Sequence, residues 1–192
     1  MKKLTLYTII ICSLFPILGF SQVVKEGEKF TEVHVIQDKV TFLKEVTLPS
    51  NISVDENYKT LKSWATANYG KDLFISSVYH NPKNREFTAK SRIELLLPEN
   101  AAGIREKMVM RYRVDGFIHQ DKCVLQVSDI SYLSENHKKN KLLSKTVKAE
   151  EFITDESLEI DDSLREIKQN TRKSTLYFLD GLCKDFESKF GH

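Results

Sequence analysis

Glycine and proline are both scarce, with seven and four in 192 residues. So few glycines, and those scattered, supply neither a Gly-rich phosphate loop nor a Gly-x-Ser-x-Gly nucleophile elbow. Cysteine is rarer still: Cys12, Cys123 and Cys183 lie far apart and outside any metal-ligand pattern. The five histidines, His34, His80, His119, His137 and His192, stand singly. Spacing thus excludes a zinc site, and neither a metal nor a cofactor is expected. No sign of charge dominates either. The formal net charge of +2 comes from Lys2 and Lys3, and past residue 21 the 27 acidic residues are matched by as many basic ones. A neutral chain has no overall attraction for a polyanion, so nucleic acid is not expected as a partner.

A long hydrophobic run is missing as well. The most apolar stretch, Leu4 to Leu18, is interrupted by Thr5, Thr8, Ser13 and Pro16 and is too short to span a bilayer. It follows Lys2-Lys3 and ends in Gly19-Phe20-Ser21, which is the form of a secretory signal over residues 1–21 with Gln22 as the first mature residue. Cys12 lies inside the apolar stretch and not just after it, so a lipid anchor is not expected. The chain is read as exported, periplasmic or secreted, with no transmembrane segment once the signal is removed. Outside the cytoplasm Cys123 and Cys183 either pair as a disulfide or remain two buried free thiols, and sequence leaves both open.

What is present reads as an α+β domain over residues 37–190, after a polar lead at 22–36 that includes a short strand within Thr31 to Ile36. Val40 to Leu48 is β-rich and stops at Pro49-Ser50-Asn51. Ser53-Val54-Asp55-Glu56 has the form of a capping box and opens a helix from Val54 to Tyr69, with Val54, Tyr58, Leu61, Trp64 and Ala65 on its apolar side. Gly70 is expected to stop it in the left-handed conformation. A second strand occupies Leu73 to His80, before the turn residues Asn81 to Asn84. Alternation then marks strands from Phe87 to Leu97 and from Lys107 to Ile118.

Two turns are available to that fourth strand, Asp115-Gly116 and His119-Gln120-Asp121-Lys122. The second keeps the alternation intact, so Gly116 is expected to mark a bulge or a close approach. Cys123 to Leu133 is the fifth strand. A basic loop follows over 134–150, then the acidic run Asp155, Glu156, Glu159, Asp161 and Asp162. Last comes a long helix over 160–190 with Leu164, Ile167, Thr171, Ser174, Phe178, Leu182 and Phe186 as its stripe. An antiparallel sheet of about five strands with both helices on one face is the smallest structure that buries these surfaces.

Several local patterns carry a resemblance. They are Asp38-Lys39-Val40-Thr41-Phe42 leading to a helix with Leu61-Lys62-Ser63-Trp64-Ala65, the strand Cys123 to Tyr132, and a terminal helix after Phe152-Ile153-Thr154-Asp155. Over about residues 37–188 the chain resembles the DUF4468 family, exported Bacteroidetes proteins with a TBP-like domain of unknown function. The resemblance implies a TBP-like fold and an envelope location. It implies no activity and no catalytic residue.

Candidate sites are few. The acidic run lacks the glycine and spaced ligands of a calcium loop and suits a helix N-terminus. The basic loop, with Lys138, Lys139, Lys141, Lys145 and Lys148, is either a solvated connection or a contact for anionic lipid or polysaccharide. Helices laid on a curved sheet also leave room for an apolar ligand, whose lining would be Trp64, Met108, Met110, Tyr112 and Phe178. No catalytic constellation is present in the sequence. The expectation is a non-enzymatic binding or protein-interaction module of the envelope, docking by a sheet edge among other routes, with a small-apolar-ligand carrier as the alternative.

Overall fold

The computed structural model describes residues 23–25, 27–119, 121–134, 146–160 and 163–190. The expected signal at 1–21, most of the basic loop, and Asp161 and Asp162 lie outside these residues.

Nine strands and three α-helices follow one another along the described chain. They are β1 (Val23–Val24), β2 (Val35–Ile36), β3 (Lys39–Val40), β4 (Phe42–Thr47), α1 (Val54–Tyr69), β5 (Ser76–Asn81), β6 (Glu86–Glu99), β7 (Arg105–His119), β8 (Lys122–Ser134), β9 (Thr146–Lys148), α2 (Asp155–Glu159) and α3 (Arg165–Phe190). The main sheet runs β1-β4-β8-β7-β6-β5, with β9 also paired to β8. Every pairing in it is antiparallel except β1 with β4. The five long strands correspond to the five expected from sequence, and the short β1 and β9 extend the sheet.

The turn at 119–122 is where the fourth strand reverses: His119 pairs with Lys122, and β7 runs unbroken through Gly116. Gly116 faces Phe87 across β6, and a Cβ there would stand 2.2 Å from the Phe87 ring. It marks a close approach. The bulge falls elsewhere, in β8, where Arg111 pairs with Ser131 but Arg113 with Ser128. Asp129 takes up the extra residue at φ 51°, a conformation that Asp tolerates better than bulky residues do. The buried side chains of β8 therefore change parity, from Cys123, Leu125 and Val127 to Ile130 and Tyr132.

Helices α1 and α3 share one face of the sheet. The capping box of α1 is formed: Ser53 Oγ accepts the Glu56 N–H at 3.2 Å, and the Glu56 carboxylate accepts the Ser53 N–H at 3.1 Å. Gly70 corrects the expected left-handed stop. Its φ is −97°, and glycine is needed because a Cβ would come within 2.8 Å of the Thr66 carbonyl. The second strand starts three residues later than expected, because Asp72 closes a turn over Leu73 to Ile75.

The buried face of α3 is rotated from the predicted stripe: Lys168, Thr171, Thr175, Leu179, Cys183, Phe186 and Phe190 are buried. Two of its polar residues find partners there, Thr175 at the Tyr132 hydroxyl of the sheet at 2.9 Å and Lys168 at the Ser157 carbonyl of α2 at 3.2 Å. Asp155, Glu156 and Glu159 of the acidic run belong to the separate helix α2, capped by Thr154, whose Oγ1 accepts the Ser157 N–H at 3.2 Å. The polar lead is not merely a lead. Phe30 and Val33 are buried in the core, and β2 and β3 form a hairpin whose Gln37 and Asp38 take the positive φ that such a two-residue turn requires.

Candidate functional site

The five residues named from sequence as a ligand lining come together as core. Trp64, Met108, Met110 and Tyr112 are buried and Phe178 is partly so. Trp64 packs at 5.9 Å from the Phe87 ring and 5.0 Å from that of Phe186, and its indole N–H donates to Asp185 at 2.7 Å. Tyr112 meets Phe178 edge-on at 5.4 Å. These side chains pack in the layer between helices and sheet, and Phe178 also borders an open cleft. Burial raises the pKa of the Tyr69 and Tyr112 phenols above their usual range and so keeps them neutral.

Cys123 and Cys183 are free and buried, so the disulfide that sequence left open is not formed. Burial pushes the Cys183 thiol up to about 12 and that of Cys123 higher still. Neither is an activated nucleophile. Among the described residues no three His, Cys, Asp or Glu side chains are grouped to hold a metal ion.

Two open clefts lie outside this core. One, of about 510 Å³, runs between α3 and the part of β6 that β5 does not cover. Its lining is mostly apolar, from Ile93, Leu95, Leu97, Tyr177 and Phe178. β5 ends its pairing at Ser76 with Ser91. The Arg92 N–H donates to Ile75 at 3.2 Å and the Leu96 carbonyl accepts from Ser174 at 3.1 Å. Between those two bonds, alternation directs the N–H and C=O of Glu94 to the same free edge.

The other cleft, of about 420 Å³, opens where the Leu73–Ile75 turn meets the sheet face that carries no helix. Lys90, Arg92, Arg111 and Arg113 line it with Ser77 and Phe74. Register sets Lys90 opposite Arg113 and Arg92 opposite Arg111. Arg113 is neutralised by Asp115, through Nε at 2.7 Å and Nη2 at 2.8 Å. Of the ligand lining named from sequence, Phe178 borders the first cleft and Tyr112 the second, and the rest of each lining is not among those residues. The cations were visible as alternate residues of two strands, but only the pairing register brings them together.

No protein-family model matches the chain, and no curated protein matches it. Solved structures do, two among them. The chain is similar to a TBP-like protein from Parabacteroides distasonis ATCC 8503, with a TM-score of 0.68 at 24% identity over 83% of this chain and 97% of that one. It is also similar to a DUF4468 family protein from Bacteroides ovatus ATCC 8483, with a TM-score of 0.67 at 19% identity over 85% of this chain and 93% of that one. The resemblance carried by the sequence patterns is thus met in three dimensions: the chain has the TBP-like α+β fold, shared with a DUF4468 family protein of Bacteroides.

Proposed function

We propose that the protein is an exported, non-enzymatic interaction module of the cell envelope, and that it receives a short extended apolar segment of a partner protein in the groove between β6 and α3. The observation that carries this reading is the uncovered edge at Glu94. Its main-chain donor and acceptor are directed outward beside an apolar trough, which is the pairing that strand addition uses. Leu96 and Tyr177, 52% and 82% exposed, rim that trough without covering it. The trough offers no nucleophile with a base: the Ser174 hydroxyl is already committed to the Leu96 carbonyl.

A second reading is supported by the same groove. It is a gap between helix and sheet, as a carrier of a small apolar ligand requires, and Phe178 lines it. Native mass spectrometry of the protein recovered from its own host separates the two, with Leu96→Glu/Tyr177→Glu as the control. An associated polypeptide lost in the variant supports docking. A small apolar mass lost in the variant supports the carrier. A bare monomer, or an associated mass that the variant keeps, overturns both.

A further inference from the structure

Leu73, Phe74 and Ile75 are 82%, 91% and 46% exposed, three large apolar side chains in succession on the surface. Single exposed apolar residues are ordinary, but an unbroken run of three is not. The turn that carries them is tightly built. The Asp72 carboxylate accepts the Phe74 N–H at 2.9 Å, and its carbonyl accepts those of Ile75 at 3.1 Å and Ser76 at 2.9 Å. Ser76 Oγ then donates to the Tyr69 carbonyl at 2.9 Å. The side chains are thus held outward by their own backbone bonds.

The cations beside them are equally out of keeping with stability alone. Like charges directly opposite each other across a sheet are destabilising, and two such pairs are adjacent here. Asp115 answers only Arg113. Asp129, at the rim, is bonded to Lys39 at 2.6 Å. Among the described residues Lys90, Arg92 and Arg111 have no acidic partner.

We infer that this cleft and its apolar lip dock the protein on an anionic lipid surface, with a headgroup phosphate among Lys90, Arg92 and Arg111 and with Leu73 and Phe74 in the acyl boundary. Charge and apolar surface together select this occupant. A free phosphate leaves Leu73 and Phe74 in water, a duplex nucleic acid does the same, and an uncharged apolar body leaves the cations repelling one another.

The test is flotation with vesicles, one set of pure phosphatidylcholine and one with a third phosphatidylglycerol, using the protein as its host makes it. Arg92→Glu/Arg111→Glu and Leu73→Ser/Phe74→Ser are run alongside, and circular dichroism checks that both fold. Binding to the anionic vesicles at least tenfold above the neutral ones, and lost tenfold or more in each variant, is expected. A dye placed on Phe74→Cys, which reports locally, shifts to the blue on the anionic vesicles. Equal binding to both vesicle types, retention by either variant, an unshifted dye, or full displacement by glycerol phosphate in solution overturns the proposal. So does tighter binding of a DNA duplex with no vesicle binding.

Discussion

Gly116 stands directly opposite Phe87 on β6, and the Phe87 ring occupies the space that a side chain at 116 would need. That ring is buried and hemmed in by Trp64 at 5.9 Å and Tyr69 at 6.4 Å, so it has nowhere to retreat. Gly116→Ala is therefore expected to destabilise the fold by about 1–3 kcal/mol, as overpacking does. Urea denaturation with an unchanged slope and a lower midpoint is the confirming result.

Lys44 is 1% exposed, on the helix-bearing face of β4, and its ammonium is paired with Glu187 of α3. It also donates to the Glu28 carbonyl at 3.2 Å, while Glu187 accepts the Gly27 N–H at 2.9 Å. One ion pair thus fastens the N-terminal segment, the sheet and the last helix. Glu187→Ala strands the lysine charge and is expected to cost about 3 kcal/mol. Lys44→Met/Glu187→Leu should recover most of that, because no buried charge is left alone. A double-mutant cycle on unfolding free energy reads both.

The two thiols give a pH-dependent expectation. Unfolded cysteines ionise near 9.0, whereas burial holds Cys183 near 12 and Cys123 above that. As pH rises past about 9 the unfolded chain loses protons that the folded one keeps, so stability falls with rising pH on the alkaline side. The fall should be shallower in Cys183→Ala. A thiol-reactive dye at pH 8 should leave Cys123 and Cys183 unlabelled in the native protein and label both in denaturant.

Arg92→Glu turns a like-charge cross-strand pair into an opposite-charge pair with Arg111. The expected result is a gain of about 0.2–1 kcal/mol, seen as a higher midpoint in thermal unfolding. The same substitution is expected to weaken attachment to anionic vesicles, so stability and binding should move in opposite directions.

How far sequence reaches is clear from particular elements. The capping box at Ser53 to Glu56 fixes where α1 begins because both partners lie within one turn of chain. The alternation from Phe87 to Leu97 fixes β6 and its buried face, since side-chain period and strand period are the same physical fact. The stripe on α3 was misplaced for the opposite reason. Thr175 is buried because the Tyr132 hydroxyl receives it, and no hydropathy pattern within the helix records that. Sequence extends the second strand back to Leu73, whereas the Asp72 carboxylate, accepting the Phe74 N–H, closes Leu73–Ile75 into a turn.

Sequence by itself determined the number of long strands, the two main helices, the turn after His119 and the close approach at Gly116. All of these are local or periodic, set by backbone stereochemistry and by the burial of alternate residues. Tertiary structure decided the rest. The bulge at Asp129 switches the parity of β8, the short reach of β5 leaves the edge of β6 open, and the register of β6 on β7 places cation against cation. Each depends on which strand lies beside which and with what offset. Such non-local pairings are settled by the packing energy of the whole sheet.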